Sequence, residues 1–432
     1  MSASSAKPIY RRWFTSLWFI VLVFMFGGII FGIINPSLAK QSKPIIDAFI
    51  HVIKILVGPI VFFTVISGVI GMGSLKQLGT IGAKSFIYFE VISGLALIIG
   101  LTFGHLFHPG TGLNLSIASI DPHLIAKYTS NEADATSFTK IMLSAIPSNL
   151  WDPFLTGNTL QILFIAICLG FFLFYFGQRW RESIMHNLHV VQGWLFKILS
   201  YVMWFSPIAA FSAMAFMLGE FGVSVIWHML GLVATMIGAC IFFILVVLGT
   251  VAKMAGFSIV QFLGFIKDEI ILVFATSSSE SALGPIMRKL KGSGVDESVV
   301  GIVIPAGYSF NLDGTNIYLS LVIAFLCQAF NINLSLQEYI TVILVLMATS
   351  KGAAGVSGSG FIVLAGTLAA MHGKIPVVTI AILLGIDKIM SELRSTTNLV
   401  GNSMAAVIVA RMEKQLDMKK FQQALNKQES ID

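Results

Sequence analysis

The stretch Gly385–Asn402, GIDKIMSELRSTTNLVGN, decides how the rest of the chain is interpreted. It lies inside an apolar segment from Ile375 to Val409, which is long enough to cross a bilayer because about 20 residues suffice. Arg394 lies within that segment. A charged side chain at the bilayer centre costs roughly 2.5 to 3.5 kcal/mol on insertion scales, so it normally faces protein or a water-filled cavity. We interpret Arg394 as an anion receptor, the alternative being a structural ion pair between two helices.

The polar residues of this stretch recur at helical spacing. Intervals of 4, 3, 4 and 4 residues place them on one face of a helix. The sequence therefore predicts one polar stripe along an otherwise apolar span. Its members are Asp387, Ser391, Arg394, Asn398 and Asn402.

The whole chain has the composition of a membrane protein. Of its 432 residues 56% are hydrophobic and 11% charged, and the mean hydropathy is +0.87. These values exclude an ordinary soluble domain and predict an all-α polytopic membrane protein. The net charge of +6 lies mostly in short loops, where it indicates topology and not nucleic-acid binding. The three cysteines lack CxxC or Cys/His spacing, so neither a disulfide, a metal site nor a cofactor is expected.

Hydropathy predicts eight membrane-spanning helices, and the basic loops place both termini in the cytoplasm. The first span, ending at Ile34, is too long for the apolar core of a signal peptide, so we interpret it as retained. The fourth is predicted to be broken near Pro153 and Gly157. The spans after the first are 45–71, 86–107, 160–176, 188–218, 225–251, 299–330 and 375–409.

Two further apolar regions begin and end on the same predicted side of the membrane but are too short for two spans. The first, 257–291, is interrupted by TSSSES at 276–281, and the second, 336–371, by a Gly/Ser-rich run at 350–360. Polar backbone at membrane depth is tolerated only against protein or a cavity, so each region is predicted to be a re-entrant hairpin. A hairpin followed by a polar span, repeated from opposite faces, is typical of inverted repeats in secondary transporters.

The hairpin tips add anion-binding groups to Arg394. Each tip places the N-terminus of a half-helix in the membrane, one after Ser279 and one near Ser359, with unpaired N–H groups. The planar guanidinium of Arg394 suits a carboxylate. Three separate anion-binding elements predict a substrate with two carboxylates, to which Ser277 and Ser278 offer further hydroxyl donors.

Two features in other spans are candidates for cation coupling. The motif NLDGT at 311–315 places the turn-forming pair Asp-Gly in mid-span, so the helix there is predicted to unwind and free carbonyl groups for a cation. Glu90 is a carboxylate within the third span and a candidate proton carrier. The alternative is that Glu90 pairs with a neighbouring cation for structural reasons.

The chain resembles the dicarboxylate/amino acid:cation symporter family, which includes the glutamate transporters, in four motifs taken together: TSSSES, NLDGT, GVSGSG and D-x-x-x-S-E-x-R-x-x-x-N-x-x-x-N. The similarity covers nearly the whole chain and is strongest to bacterial members that carry C4-dicarboxylates. It implies a homotrimer among the lipids of the bacterial inner membrane, with a transport domain that moves past a scaffold as an elevator. The implied scaffold is 13–77 and 138–219. The implied transport domain is 85–107 and 224–410, with hairpins 257–291 and 336–371 and spans 298–330 and 375–410. A tail, 411–432, is expected in the cytoplasm, and a frayed helix with no role beyond its charge is an alternative that the sequence leaves open.

The resemblance also implies individual roles. Arg394 grips a substrate carboxylate, and the second hairpin is the extracellular gate. The other expected substrate-binding residues are Ser277, Ser278, Ser279, Thr315, Val356, Ser357, Gly358, Ser391 and Asn398. The candidate residues for coupling to H⁺ or Na⁺ are Glu90, Gly307, Ser309, Asn311, Asp313, Asp387, Asn398 and Asn402, with a candidate sodium position at Asn311 and Asp313.

Departures from the family pattern indicate substrate and cation. Ser391 stands where amino-acid carriers have an aspartate for the substrate's ammonium, so a dicarboxylate without an amine is favoured. Glu392 lies about 100° further around the helix and is not expected to replace that aspartate. Asn402 stands where sodium-coupled relatives have an aspartate, and Lys351 brings a positive charge close to another sodium position. Proton symport is therefore favoured, and sodium symport of dicarboxylates or acidic amino acids is the alternative.

Two other classes of protein are disfavoured. GVSG at 355–358 is similar to the GxSG motif of intramembrane serine proteases, which need a histidine base near the serine. The candidate His372 lies in an external turn, so an enzyme is not expected. A passive channel needs no pair of hairpins that seals the site from both faces. The remaining histidines considered are His51, His105 and His228, which lie in other spans.

Overall fold

The structure, a computed structural model, is helical throughout the part of the chain that it describes. Apart from an isolated bridge between Val295 and Leu416, the described residues form only helices, turns and coil. The residues described are 17–70, 78–115, 146–156, 159–174, 178–352, 359–370, 375, 377–384 and 386–426.

Several helices have the length and composition of membrane spans. In the described residues, Thr80–Phe107, Ser224–Met254 and Glu297–Ala329 are long and apolar enough to cross a membrane. A fourth crossing results if Ser183–Met203 and Ser206–Glu220, which bend by 46° at their junction, count as one span. These stretches coincide with predicted spans three, six, seven and five. The protein is therefore a multi-pass membrane protein.

A first helix group forms from the N-terminal half of the chain. Helix α1 (Leu17–Ile34) packs on α6 (Ser206–Phe221) so closely that Gly28 has no room for a side chain, since a Cβ there would lie 2.2 Å from the carbonyl oxygen of Phe211. Helix α2 (Lys43–Ile70) packs on α4 (Thr159–Phe174) and α5 (Gln178–Met203). The group comprises α1 (Leu17–Ile34), short turns at Pro36–Ala39 and Lys40–Ser42, α2 (Lys43–Ile70), a short helix Asp152–Thr156, α4 (Thr159–Phe174), α5 (Gln178–Met203) and α6 (Ser206–Phe221). Helix α3 (Ala83–Phe107), which follows a π-helical turn Leu78–Gly82, belongs elsewhere.

A second helix group surrounds α12 (Asp313–Ala329), of which every residue except Gln328 is buried. Helix α3 approaches α12 at Gly100, where a Cβ would lie 2.1 Å from Ser320 Oγ. Small residues thus bring the third and seventh spans together. The group comprises α3, α7 (Ser224–Phe242, continued by Phe243–Leu248 and Gly249–Met254), α11 (Glu297–Phe310), α12 (Asp313–Ala329) and α15 (Asp387–Met412).

The first hairpin is described in full. Its arms meet at the base, where Lys289 Nζ lies 2.6 Å from Glu269 Oε2. The chain reverses at Ser277, whose φ of +52° is left-handed. The elements are α8 (Ile259–Phe265), α9 (Lys267–Thr276), a 3₁₀ turn Ser279–Ala282 and α10 (Leu283–Gly292), at the positions that the sequence predicted.

The second hairpin is described except at its tip, because 353–358 lie outside the described residues. The hydroxyl oxygens of Thr349 and Thr367 lie 2.8 Å apart and join the two arms. Its elements are α13 (Leu336–Thr349), a 3₁₀ turn Ser350–Gly352 and α14 (Ser359–Ala370). The N-terminus of α14 at Ser359 matches the predicted half-helix.

The seventh span breaks where NLDGT predicted it, between α11 and α12. Two other predicted spans differ from expectation. The fifth was predicted as one stretch, but α5 and α6 are separate helices, since Pro207 at the start of α6 cannot donate a hydrogen bond to the preceding turn. In the eighth, Val377–Leu383 is a 3₁₀ helix and α15 begins only at Asp387. The β-branched run from Val377 to Ile380 accounts for this, because such residues lose side-chain freedom in an α-helix.

A frayed helix, the alternative that the sequence left open for the tail, does not describe residues 418–426. Helix α16 (Met418–Asn426) buries Phe421 completely. Its ring lies 5.3 Å from that of Phe257 and within 6.5 Å of those of Phe262 and Phe265, at the base of the first hairpin. The tail is thus packed onto the first hairpin by an aromatic cluster.

Candidate functional site

The polar stripe of α15 lies in the interior of the second helix group. Asp387 is 6% exposed, and Ser391, Arg394, Asn398 and Asn402 are 1 to 3% exposed. Burial of five polar side chains on one helix requires partners from neighbouring elements. Those partners come from α11, α12 and the two hairpins.

Arg394 is clamped on three sides. Its Nη1 lies 3.1 Å from Asp387 Oδ1, and its Cζ lies 4.1 Å from the ring centre of Tyr318. A Cβ on Gly360 of the second hairpin would lie 2.7 Å from Cζ, so glycine there leaves space for the guanidinium. Nη2 is buried and has no hydrogen-bond partner among the described residues. Arg394 therefore presents a fixed, unpaired donor for an anion.

Asp387, a candidate coupling residue, lies against this arginine. Besides Arg394 it accepts a longer hydrogen bond, of 3.4 Å, from the Tyr318 hydroxyl. The pair orients the guanidinium fork. The alternative interpretation of the sequence was an ion pair between two helices, whereas Asp387 and Arg394 both lie on α15.

The tip of the first hairpin meets the same helix. Ser277 and Ser279 are fully buried and Ser278 is half-buried. The carbonyl oxygen of Ser277 accepts a hydrogen bond of 3.0 Å from Ser395 Oγ, and that of Ser279 accepts one of 2.8 Å from the Tyr308 hydroxyl. The structure thus brings the predicted serine tip to within bonding distance of α15.

Two charged residues at this tip were not among the predicted site residues. Lys388 Nζ donates to Ser277 Oγ at 2.5 Å, and Ser277 Oγ lies 3.4 Å from Glu392 Oε1. Lys388 also interacts electrostatically with Glu392. The spacing of Lys388 and Glu392, i and i+4 on a helix, was the signal available in the sequence.

Asn398 joins α15 to the start of α12. Its Oδ1 accepts hydrogen bonds from the backbone N–H groups of Gly314 (2.8 Å) and Thr315 (3.2 Å), and its Nδ2 donates to Thr315 Oγ1 at 3.1 Å. These contacts satisfy N–H groups that the helix break leaves open. The two predicted binding residues Asn398 and Thr315 therefore lie together.

A cluster of oxygen-bearing groups surrounds the break before α12. Asn311 Nδ2 donates to Asp313 Oδ2 at 3.2 Å. One side-chain amide atom of Asn402 lies 3.0 Å from the carbonyl oxygen of Asn311 and 3.2 Å from that of Gly307. Because both neighbours are hydrogen-bond acceptors, we assign this atom as the amide nitrogen, which donates to them. Asn311 Oδ1 and Asp313 Oδ1 are buried without a partner among the described residues. No hydrogen bond joins the half-buried Ser309 side chain to the described members of this cluster.

Lys351 of the second hairpin reaches the same break from the other side. Its Nζ lies 2.8 Å from the carbonyl oxygen of Phe310 and 2.9 Å from Glu90 Oε1. Glu90 is therefore paired with a neighbouring cation, the second of the two sequence interpretations. The pair connects α3, the C-terminus of α11 and the second hairpin.

The remaining predicted positions contribute less. Val356, Ser357 and Gly358 lie outside the described residues, as does His372. His105 contacts the Tyr339 hydroxyl at 2.9 Å, and His228 the carbonyl oxygen of Pro109 at 2.9 Å. No group of three or more metal-binding side chains occurs in the described part of the chain.

Known sequences match the chain along nearly its whole length. The model of the family described as "Sodium:dicarboxylate symporter family" matches residues 17–412. C4-dicarboxylate transport protein 1 of Ralstonia nicotianae is 43% identical over 420 residues, or 97% of this chain and 96% of that protein. C4-dicarboxylate transport proteins of Burkholderia ambifaria and Burkholderia multivorans are 44% and 43% identical over 419 residues, with the same shares covered.

Proposed function

Because the chain belongs to the sodium:dicarboxylate symporter family, we propose that it is a secondary active symporter that imports C4-dicarboxylates such as succinate, fumarate and malate across the bacterial inner membrane. Membership of this family identifies a transporter and not an enzyme, as the sequence predicted. The names of the relatives support the substrate class, since they are called C4-dicarboxylate transport proteins.

The observation that carries the proposal is the buried Nη2 of Arg394, for which the described residues provide no hydrogen-bond partner. A buried guanidinium nitrogen without a partner is costly, and a substrate carboxylate removes that cost. Because Asp387 and Tyr318 hold the rest of the guanidinium, the free nitrogen has a defined direction. Arg394 binds one carboxylate, and Thr315, Asn398, Ser391, the serine tip of the first hairpin and 356–358 complete the site.

The same site disfavours a substrate with an amine. Ser391 offers no charge, and Glu392 lies beside Lys388, which balances it. An ammonium group buried here lacks a free carboxylate partner, and burial of an unpaired charge costs several kcal/mol. Acidic amino acids are therefore weaker substrates than dicarboxylates of the same length.

Nitrogen donors of the protein favour protons as the coupling ion. Backbone carbonyl groups at a helix break are the ligands that Na⁺ uses in secondary transporters. Here the amide of Asn402 donates to the carbonyl oxygens of Gly307 and Asn311, and the ammonium of Lys351 donates to that of Phe310. Internal donors thus stand where a sodium ion would bind, and Glu90 and Asp313 carry the proton.

Sodium coupling is the second candidate, and one observation favours it. Asn311 Oδ1 and Asp313 Oδ1 are buried oxygen atoms without partners among the described residues. A carboxylate and an amide oxygen side by side suit a small hard cation. A sodium ion bound to these two oxygen atoms leaves the contacts of Asn402 and Lys351 intact. Proton coupling and sodium coupling therefore differ in the coupling ion and in the number of sites that bind it.

The two helix groups support an elevator mechanism. The first group and 138–219 serve as a static scaffold in a homotrimer, and the second group with both hairpins moves as the transport domain. Both termini lie in the cytoplasm, and the second hairpin opens to the outside. Close contacts at Gly28 and at Gly100 support the cohesion of each group.

Uptake of labelled succinate into liposomes that contain the purified protein tests these assignments. Proton and sodium gradients are imposed separately, with aspartate as competitor. We expect uptake driven by the proton gradient alone, weak inhibition by aspartate, and loss of uptake in Arg394→Ala. Strict dependence on sodium contradicts proton coupling. Aspartate uptake without succinate uptake contradicts the substrate class.

A further inference from the structure

Lys388 is a cation at the site to which neither the family resemblance nor the polar stripe assigns a role. It lies on α15 six residues before Arg394, and its side chain is half-buried. Its Nζ is 2.5 Å from Ser277 Oγ at the tip of the first hairpin. The site therefore contains two cationic side chains on one helix.

We propose that Lys388 binds the second carboxylate of the substrate at the tip of the first hairpin, while Arg394 binds the first carboxylate. This inference rests on the proposed function, whose substrate class it deepens. The two Cα atoms lie about 9 Å apart along the helix axis, from six residues at 1.5 Å each. Six residues also turn the helix by about 600°, so the two side chains leave it about 120° apart. Because Arg394 is clamped, the adjustment to a four-carbon dianion comes from the long, half-buried side chain of Lys388.

The two cations have parallel surroundings. Arg394 is accompanied by a carboxylate, Asp387, to which the Tyr318 hydroxyl donates, and by the ring of Tyr318. Lys388 is accompanied by a carboxylate, Glu392, and by the Ser277 hydroxyl. Each cation is thus balanced before substrate arrives, and a carboxylate of the substrate competes with the resident carboxylate at each end.

The two cations lie against different hairpins. Arg394 lies against Gly360 of the second hairpin, and Lys388 lies against Ser277 of the first. A dianion held between them contacts both hairpins, whereas a monoanion engages only one end. Lys388 is not needed to anchor the tip, since Ser395 and Tyr308 already bind its backbone carbonyl oxygens.

The test compares succinate with succinamate, its monoamide, which keeps one carboxylate and nearly the same size. In liposomes at pH 7, KM is measured for both compounds in the wild type, Lys388→Gln and Lys388→Arg. The wild type should prefer succinate, and Lys388→Gln should reduce that preference by roughly 10- to 100-fold, the effect of one charge-assisted hydrogen bond. Lys388→Arg, which keeps the charge, should retain most of it.

Glu392→Gln provides an independent variant with the opposite sign. Without the resident carboxylate, Lys388 should bind the substrate more tightly, so the preference for succinate should rise. An unchanged preference in Lys388→Gln, or in Glu392→Gln, overturns the proposal, even if overall uptake falls. Failure of the wild type to carry succinate at all is a different result, because it contradicts the proposed function before any variant is compared.

Discussion

The two hairpins differ in what holds them. The first is fixed along its length: Lys289 and Glu269 join its arms, the aromatic ring of Phe421 packs on its base, and Ser395 binds its tip. The described arms of the second are joined by a threonine pair, and its inner end is held by the ammonium of Lys351.

This difference indicates separate roles. Each hairpin has one Lys–Glu contact, but that of Lys289 with Glu269 joins the two arms of the first hairpin to each other, whereas that of Lys351 with Glu90 joins the second hairpin to α3. We therefore expect the first hairpin to move as a unit with the elements that bind its base and its tip. The second is linked to α3 through one ion pair, so we expect removal of either charged group to weaken that link.

The largest expected effect concerns the base of the first hairpin. Phe421→Ala removes a fully buried ring from the aromatic cluster and should lower the free energy of unfolding by about 3 to 5 kcal/mol. Lys419→Ala on the exposed side of α16 is the matched control and should change it by less than about 0.5 kcal/mol. Chemical denaturation in detergent micelles measures both. Equal stabilities of the two variants mean that the tail does not support the hairpin.

The second prediction compares the addition of one methyl group to a glycine in each hairpin. Gly360→Ala places a Cβ 2.7 Å from Arg394 Cζ, whereas Gly284→Ala in α10 of the first hairpin meets nothing closer than 3.6 Å. Because the guanidinium must shift, Gly360→Ala should raise the KM for succinate by about tenfold or more, the loss of one well-placed hydrogen bond. Gly284→Ala should leave it near the wild-type value. Comparable KM values for both variants place the substrate elsewhere.

The third prediction compares the ion pair of the second hairpin with that of the first. Glu90→Gln removes the acidic partner of Lys351 in the second hairpin, and Glu269→Gln removes that of Lys289 in the first. Wild-type uptake should rise as the pH falls from 8 to 6, since protons are co-substrates. We expect Glu90→Gln to flatten this dependence and to lower uptake by about tenfold, within the range for coupled pairs.

Glu269→Gln should leave the shape of the pH profile unchanged, because its pair lies at the base of a hairpin that does not gate. Retention of the full pH dependence in Glu90→Gln assigns the proton to Asp313 or to another group. The double variant Glu90→Gln/Lys351→Met should recover part of the loss, since it leaves no unpaired charge at the break.

Local patterns in the sequence predicted the features that local chemistry determines. The break at Asn311 follows from Asp-Gly in mid-span, and the reversal at Ser277 from a polar run at membrane depth. The stripe on α15 follows from its spacing alone. The break before Pro207 was visible in the same way but was overlooked, because hydropathy averages over such a residue.

Contacts between distant residues were not predictable by this route. Phe257 and Phe421 are far apart in the sequence, and nothing local in the tail indicates what covers its aromatic ring. Likewise the charge of Lys388 was visible in the sequence but its partner was not, since Ser277 lies in the first hairpin, more than 100 residues before α15. The orientation of Asn402 depends on which carbonyl groups surround it. These partners are properties of the tertiary fold.

The smallest expected effect compares the helix caps beside the two hairpins. Asp296 caps α11 after the first hairpin, where Oδ1 accepts hydrogen bonds from Ser298 N (2.8 Å) and Ser298 Oγ (2.5 Å). Ser335 caps α13 at the start of the second by a capping box with Glu338. Either residue changed to Ala should cost about 0.5 to 1 kcal/mol at pH 7.

Of the two caps, only the one at Asp296 should lose its stabilising effect in acid because the capping side chain itself is protonated. The hydrogen bonds from Ser298 lower the pKa of Asp296 from its ordinary value. A pKa lowered by folding gives a stabilisation that is complete above the unfolded pKa and is lost as the pH falls through the folded pKa. Denaturation midpoints of wild type and Asp296→Ala should therefore converge as the pH falls below about 4, near the ordinary pKa of aspartate. Because the hydroxyl of Ser335 does not titrate, the stabilisation that its own side chain provides should persist at low pH. If the denaturation midpoint of Asp296→Ala still differs from that of the wild type at low pH, the cap at Asp296 is not ionic.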